Sequence, residues 1–357
     1  MSHRLLVLGV TFALALATTP SFGASLYVAN DGTDSGTCGA KTSPCRSINQ
    51  GITNAGIGDT VIVGPGRYGD LTGDGDFSDP GEEGGNTTSM ITIAKRVRVL
   101  SSNGATATVI DANGGSDTAV TITAAGVVFG GPKKGFTLKG ADLNGLFVSG
   151  FPNAVTVSGN LGLSNGNYGF VLTGTAAVVT NNVAMGNAFA GFQGSLLQST
   201  VRGNVAIGNA GIGFNVSGTD LIFDRNTSTA NSGDGFNVDG AGGASVLSGN
   251  AAVSNGNRGI SLNSGAPTLR DLSAIGNGLY GLNLSGTAPA AQGGNEYGNR
   301  TCGLRNNEGI TVTATKTYWG SPLGPLGTAI CNVGGTSVTN STPFATKPVK
   351  LKVKPLF

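Results

Sequence analysis

The sequence predicts an all-β, single-stranded right-handed parallel β-helix: a solenoid of about twelve coils of roughly 22 residues, closed by a short N-terminal capping helix and a C-terminal cap. Two columns of residues carry the prediction. Gly169, Gly191, Gly213, Gly235, Gly259, Gly281 and Gly303 recur at steps of 22, 22, 22, 24, 22 and 22, each followed by Phe, Ile or Leu. Four residues before each glycine stands an asparagine (Asn165, Asn187, Asn209, Asn231, Asn255, Asn277, Asn299), so two side-chain chemistries keep one register. A third observation is that each period holds three short apolar stretches separated by polar, glycine-rich turns.

Taken in chain order, residues 1–23 read as a signal peptide: Arg4, the apolar run Leu5 to Ala17, then a polar stretch ending Ser21-Phe22-Gly23. The run is shorter than the roughly 20 residues that cross a bilayer. No later segment is apolar enough to span a membrane, so an exported protein, periplasmic or extracellular, is expected. Residues 24–58 form the N-terminal cap, in which Ser47 to Ala55 has apolar residues at helical spacing and would plug the first coil. Residues 59–320 form the coils, with an acidic loop inserted at 70–86. Residues 321–357 form the C-terminal cap and tail. There Lys347, Lys350, Lys352 and Lys354 alternate with Val349, Leu351 and Val353, as on a last strand whose lysines deter edge pairing. A polyanion-binding strip is the alternative reading of this tail.

Four cysteines fit an oxidising compartment. The simplest of three pairings joins Cys38 to Cys45 and Cys302 to Cys331, pinning each end of the stack. A four-cysteine metal site is the alternative, although the spacings lack a CxxC clamp. With 21 basic and 19 acidic residues the charge is +2, or about +1 without Arg4, a balance that argues against nucleic acid as a partner.

Within the coils, one strand per period follows the glycine, with Phe170/Leu172, Phe214/Val216, Phe236/Val238, Ile260/Leu262 and Leu282/Leu284 pointing inward by the period of two. A second is expected to bury Leu161/Leu163, Val183/Met185, Val205/Ile207 and Ala251/Val253. The third carries Val179, Val201, Phe223, Leu247 and Leu269. The asparagine column, and a second one at Asn160, Asn182, Asn204, Asn226 and Asn250, has a structural explanation: identical amides one rung apart can bond each other and the turn backbone.

The chain resembles the secreted right-handed parallel β-helix proteins of the pectate-lyase-like superfamily. The resemblance rests on Leu26-Tyr27-Val28-Ala29, on Cys38 with Pro44-Cys45-Arg46-Ser47-Ile48, on Gly58 to Tyr68, and on Tyr318-Trp319-Gly320-Ser321-Pro322-Leu323-Gly324-Pro325. It implies the fold, and it leaves activity open among polysaccharide lyases, hydrolases, epimerases, binding proteins and adhesins.

The paired carboxylates of a glycoside hydrolase find no match, since no two aspartates are adjacent and the only histidine is His3. Lyases and epimerases of uronic acids need an Arg or Lys base and a cation that neutralises the sugar carboxylate. Arg202, Asp224 and Arg270 share one outward register, with Arg225 and Asp271 in the next column, and these are the catalytic candidates. Asp234 and Arg258 stand before the repeat glycine on adjacent rungs, in the column of Tyr168 and Tyr280, and are the binding candidates. Their plainer reading is as cross-rung ion pairs.

Outside the repeats, Asp70 to Glu83 spaces carboxylates as a calcium loop does. Asp70, Asp74, Asp76 and Glu82 are the expected ligands, followed by Thr72 and Asp79, against the alternative of a solvated acidic loop; Ca2+ would serve to order the segment. Trp319 is expected to cover the last core layer rather than to stack on a sugar. The function expected is a monomeric β-helix scaffold that binds a polysaccharide or a cell-surface component. The alternatives are a calcium-dependent uronan lyase or epimerase, and a non-catalytic adhesin or structural protein.

Overall fold

In a computed structural model, residues 23–71, 79, 82–83, 88–113, 116–285, 290–307, 311–333 and 338–351 are described. The expected signal segment through residue 22, and Thr72, Asp74, Asp76, Lys352, Val353 and Lys354, lie outside them.

Every coil contributes to three sheets whose strands pair in parallel with the next coil. The first sheet runs from Ser25–Val28 through Thr60–Val63 to strands such as Thr200–Arg202 and Ile222–Asp224. The second runs from Gly66–Gly69 through Thr108–Asp111 to Ala251–Val253. The third stacks eleven strands from Ile91–Ile93 to Ile330–Asn332. Ten of those eleven lie between residues 59 and 320, fewer than the dozen coils expected there. The reason is that the outer coils are long: Ile91 pairs with Val120 and Thr118 with Asn144, steps of 29 and 26, whereas Phe170 to Phe192 to Phe214 keeps 22.

The third sheet buries the residues that period two predicts. Phe170, Phe192, Phe214 and Phe236 stack at 5.0, 4.5 and 4.9 Å, and Phe223 of the first sheet meets Phe214 and Phe236 edge-on at 5.7 Å. The second sheet is reversed from expectation. Leu161 and Leu163, Val183 and Met185, Ile207 and Val253 flank the strand centre and are part-exposed, Val205 and Ala251 flank it but are buried as expected, and Gly162, Ala184, Ala206 and Ala252 at the strand centres are the buried core residues. A strand of three residues between two turns directs only its middle side chain inward.

That reversal explains the glycine column. None of its glycines has a left-handed φ, so conformational freedom is not the cause. A Cβ on Gly169, Gly191 or Gly235 would stand 2.9 Å from the Cβ of Ala184, Ala206 or Ala252. The second and third sheets meet there too closely for any side chain on one side and more than a methyl on the other.

Both asparagine columns are continuous amide ladders. Asn187 donates from its backbone N and its Nδ2 to Oδ1 of Asn209 at 3.0 and 2.9 Å, and Asn209 repeats the pattern on Asn231. Each Nδ2 also bonds a strand carbonyl of the preceding coil, as Asn209 does to Ala184 at 3.2 Å. From Asn165 to Asn277 these side chains are almost fully buried, and the ladder satisfies turn amides that would otherwise lack partners.

The ends close as expected, apart from the tail. Helix Ile48–Asn54 is capped by Ser47, whose Oγ accepts from Gln50 N at 3.1 Å, and it buries Ile48 and Ile52 over the first coil. Disulfides join Cys38 to Cys45 and Cys302 to Cys331. Trp319 is buried at the far end of the core. From residue 341 through residue 351, where the lysine-rich last strand was expected, the tail forms no strand. It crosses the outside of the last coils instead, where Val349 N and O bond Asn295 Oδ1 and Nδ2, both at 2.8 Å.

Candidate functional site

The stacked coils put the charged candidates on two separate faces. On the outer face of the first sheet, Thr200–Arg202 pairs with Ile222–Asp224, setting Arg202 directly beside Asp224. Arg225 occupies the left-handed turn that follows, with φ 52°. Asp224 Oδ2 then takes Arg202 Nε at 3.0 Å and Arg225 Nε at 2.8 Å, and Oδ1 accepts from Ser248 Oγ at 2.6 Å. Burial works to raise the Asp224 pKa, but the Ser248 bond and the two guanidiniums outweigh it and hold the carboxyl below its usual range. Arg270 follows Ser248 on the next rung, two rungs from Asp224, and Asp271 sits in the next left-handed turn. The structure therefore joins Arg202, Asp224 and Arg225 into one ion-pair cluster and leaves Arg270 and Asp271 beyond it.

On the outer face of the third sheet, Asp234 Oδ1 accepts from Arg258 N at 2.9 Å, and the Arg258 guanidinium stands 3.8 Å from Oδ2. Burial raises the Asp234 carboxyl above its ordinary value, against the pull of the Arg258 amide and charge. Tyr280 lies one rung past Arg258, with the Arg305 guanidinium 4.7 Å over its ring. Tyr168 lies three rungs before Asp234 and meets the exposed Phe189 edge-on at 5.5 Å.

Between these side chains runs a second, outward-facing amide ladder. Asn215 Nδ2 donates to Gln193 Oε1 at 2.8 Å, Asn237 Nδ2 to Asn215 Oδ1 at 2.8 Å, and Asn263 Nδ2 to Asn237 Oδ1 at 2.6 Å. Asn283 continues it through Ser261 at 3.2 Å and accepts from Arg305 Nη1 at 3.5 Å. Unlike the buried ladders, most of its members are part-exposed. Its outward register was legible in the sequence as Gln193, Asn215, Asn237, Ser261 and Asn283; its connection to Arg305 was not.

A third group escaped sequence reading. In the second sheet, Gly66–Gly69 pairs with Thr108–Asp111, which pairs with Thr137–Lys139, so three residues remote in sequence converge. Buried Asp111 holds Arg67 Nη2 at 3.0 Å and Lys139 Nζ at 2.7 Å, and buried Asp70 lies 3.7 Å from Arg67 Nη2. Basic groups thus stand at the mouth of the acidic loop. The sequence signal was Arg67, three residues before Asp70; the irregular coil length hid Asp111 and Lys139.

Of the expected calcium ligands, Asp70, Asp79 and Glu82 are described. Glu82 accepts from Leu71 N at 2.8 Å and from Asp79 N at 3.1 Å, so its carboxylate ties the two described stretches of the acidic segment together. Asp70 lies 3.7 Å from Arg67 Nη2.

Residues 133–277 match a family model described as a right handed beta helix region. No curated protein matches the sequence. Among solved structures, the A-module of an Azotobacter vinelandii mannuronan C-5 epimerase is similar with a TM-score of 0.57 at 18% identity, over 83% of this chain and 93% of that one. A pectate lyase gives 0.45 at 17% identity over 92% and 82%, and the Dettilon tailspike protein 0.48 at 14% over 88% and 68%. At these identities the likeness is one of fold, and the fold is the right-handed parallel β-helix.

Proposed function

We propose that this is an exported carbohydrate-binding β-helix whose third sheet takes an extended polysaccharide along its outer face. The observation that carries the reading is the accessible part of that ladder, from Gln193 through Asn215 and Asn237 to Asn263, beyond which Ser261 and Asn283 are buried. Asn215 and Asn237 each use one N–H and one oxygen lone pair on their neighbours and are part-exposed, at the ~4.8 Å spacing of the coils. A polymer of hydroxylated rings lying along the axis would meet amide donors and acceptors on four successive coils, at Gln193, Asn215, Asn237 and Asn263. Tyr280 and the Tyr168–Phe189 pair offer flat apolar surface to the C–H faces of sugars, and Arg258 and Arg305 offer forked donors to carboxylates. The shared fold makes mannuronan the first polymer to test.

The test is a glycan array followed by titration of the best polymer. Asn215→Ala with Asn237→Ala is expected to weaken binding about tenfold or more, a loss of two hydrogen bonds, without moving the melting temperature far. Arg202→Ala, on the first sheet, should leave binding unchanged. A blank array across acidic and neutral polysaccharides sinks the reading.

The Arg67–Asp111–Lys139 group beside the acidic loop favours a second reading, a calcium-dependent uronan lyase or epimerase. Arg67 would pair with the sugar carboxylate, Asp111 would hold both basic side chains in place, and Lys139, after giving up its own proton to solvent, would take the proton next to that carboxylate. Calcium held by Asp70, Asp74, Asp76 and Glu82, followed by Thr72 and Asp79, would supply positive charge there. Calorimetry that shows no heat with calcium, and a chelator that leaves the melting temperature unmoved, would remove the metal from this reading. Unchanged turnover of a uronan by Lys139→Ala would remove the chemistry.

A further inference from the structure

Two long turns break the regularity of the early coils. Between the first and second sheets most coils turn in two residues, as at Gly159-Asn160 between Thr156–Ser158 and Leu161–Leu163. The turn from Arg98–Ser101 to Thr108–Asp111 takes six, and so does the turn from Val128–Gly130 to Thr137–Lys139. These two turns lean on each other: Ser101 N bonds Lys134 O at 3.0 Å, and Thr137 Oγ1 bonds Ala105 O at 2.7 Å. Together they raise a ridge with a cleft on either side, about 480 Å3 over the first sheet and about 600 Å3 toward the second. Lys134 lines the first cleft and Lys133 the second.

The floor of the first cleft follows from strand alternation. Val61, Val63 and Val99 point into the core, so Thr60, Ile62, Arg98 and Leu100 point outward, with Thr60 beside Arg98 and Ile62 beside Leu100. Leu100 is nevertheless only 7% exposed, because the ridge covers it; a Cβ on Gly131 would lie 3.9 Å from its Cδ2. Exposed Ser102 and Lys134 rise from the ridge as the wall. Ser102 Oγ donates to Asn103 Oδ1 at 2.5 Å, so toward a ligand it acts as an acceptor. Two cations thus line the cleft, and among the described residues no carboxylate does. Such a cleft attracts anions. Its volume falls in the range of small-ligand sites, and an aliphatic floor under a few directed polar groups is their usual make-up. A bare inorganic ion would use the cations and leave the Ile62 surface wet, whereas an acidic sugar uses both.

We propose that this cleft is a second saccharide site, selective for a sugar residue bearing a carboxylate or a sulfate. The anionic group pairs with Arg98 and Lys134, the ring lies with its C–H face on Ile62, and its hydroxyls bond Thr60 and Ser102. The site stands on a different sheet from the amide ladder and does not depend on it. The ladder offers neutral amides in series to a long chain; the cleft offers charge to a single residue.

The experiment titrates the full chain carrying Asn215→Ala and Asn237→Ala with a uronate trisaccharide, a sulfated disaccharide and an uncharged trisaccharide, by calorimetry at low salt. With the ladder impaired, the heat measured belongs to the cleft, and its absence would leave the reading of the third sheet untouched. At least one anionic saccharide is expected to bind and the uncharged one is not; which anion binds distinguishes carboxylate from sulfate. Lys134→Ala should weaken that binding about tenfold or more, and Lys134→Arg should keep it within about threefold. Lys133→Ala removes the same charge one residue away, from the other cleft, and should leave the affinity unchanged. Equal binding of charged and uncharged saccharides, no binding of either anion, or an equal loss from Lys133→Ala and Lys134→Ala would each overturn the site.

Discussion

The middle of the solenoid and its two ends solve the same burial problem with different groups. Between Asn165 and Asn277 the buried polar side chains are almost all amides and hydroxyls, and each asparagine of the two columns is bonded to its copy one coil away. At the ends buried carboxylates join the hydroxyls and amides: Asp70, Glu82, Glu83 and Asp111 in the first coils and Glu296 in the last. The difference follows from repetition. A residue placed in every coil meets its own copy, and an amide is both donor and acceptor, so its column bonds without limit. A column of carboxylates would repel itself. Charge therefore enters only where the repeat breaks, or with alternating sign, as in Arg202 beside Asp224 and Asp234 beside Arg258.

The strongest way to break the comparison is to put one methyl into the regular part. Gly213→Ala would set a Cβ 2.0 Å from Ser228 Oγ and 2.6 Å from the Gly235 carbonyl oxygen, backbone that the next coil fixes. We expect a loss of about 4 kcal/mol or more, seen as failure to recover folded protein or a collapsed denaturation midpoint. The same change at Gly36 in the N-terminal cap meets nothing within 4 Å and should fall within about 0.5 kcal/mol of the parent.

Next in size is Asn209→Leu. It strips the acceptor from Asn187 N and Nδ2 and the Nδ2 donor from Asn231 Oδ1 and Ala184 O, inside a buried column. Several unsatisfied buried groups should cost about 3 kcal/mol, read by urea denaturation. A shift below about 1 kcal/mol would mean that the coils can close over the gap, and the ladder would then be incidental.

The legible part of the molecule divides along the same line. Where the period is constant, register could be read directly, and with it the inward Phe column and both asparagine ladders. The glycine column was visible but its cause was not, because the cause is the distance between two sheets. The second strand was misread because three residues are too few to fix the phase of a period of two, and the bulkier side chains flank the buried Ala184 and Ala206. Arg67, Asp111 and Lys139 share no fixed spacing, so only the coordinates bring them together.

A pH series probes the ends. Burial raises Glu83 from 4.5 to about 7, against the bonds it accepts from Ile48 N and Asn49 N of the capping helix, and burial also raises Glu296 well above the carboxylate range. In both, the folded state keeps a proton that the unfolded chain has lost. Stability should therefore be greatest below pH 4.5 for these groups and fall as pH rises through about 7, by roughly 3 kcal/mol for Glu83. Glu83→Gln and Glu296→Gln together should flatten the pH dependence of the melting temperature between those limits; an unchanged slope would place the titrating groups elsewhere.

The smallest expected effect tests the alternating charges on the surface. Arg202 donates to Asp224 at 3.0 Å with its side chain half exposed, and Asp224 retains Arg225 at 2.8 Å and Ser248 at 2.6 Å when Arg202 is removed. Arg202→Ala should therefore cost no more than about 0.5 kcal/mol, and less still in high salt, where exposed pairs are screened. Removing the shared carboxylate is the sharper probe. Asp224→Ala leaves two guanidiniums on neighbouring positions without a counter-charge, so its cost should exceed that of Arg202→Ala severalfold at low salt and should fall by more as salt screens the arginines from each other. Equal costs for the two substitutions at every salt concentration would show that Asp224 contributes through packing and its Ser248 bond rather than through the charge that distinguishes this rung from its uncharged neighbours.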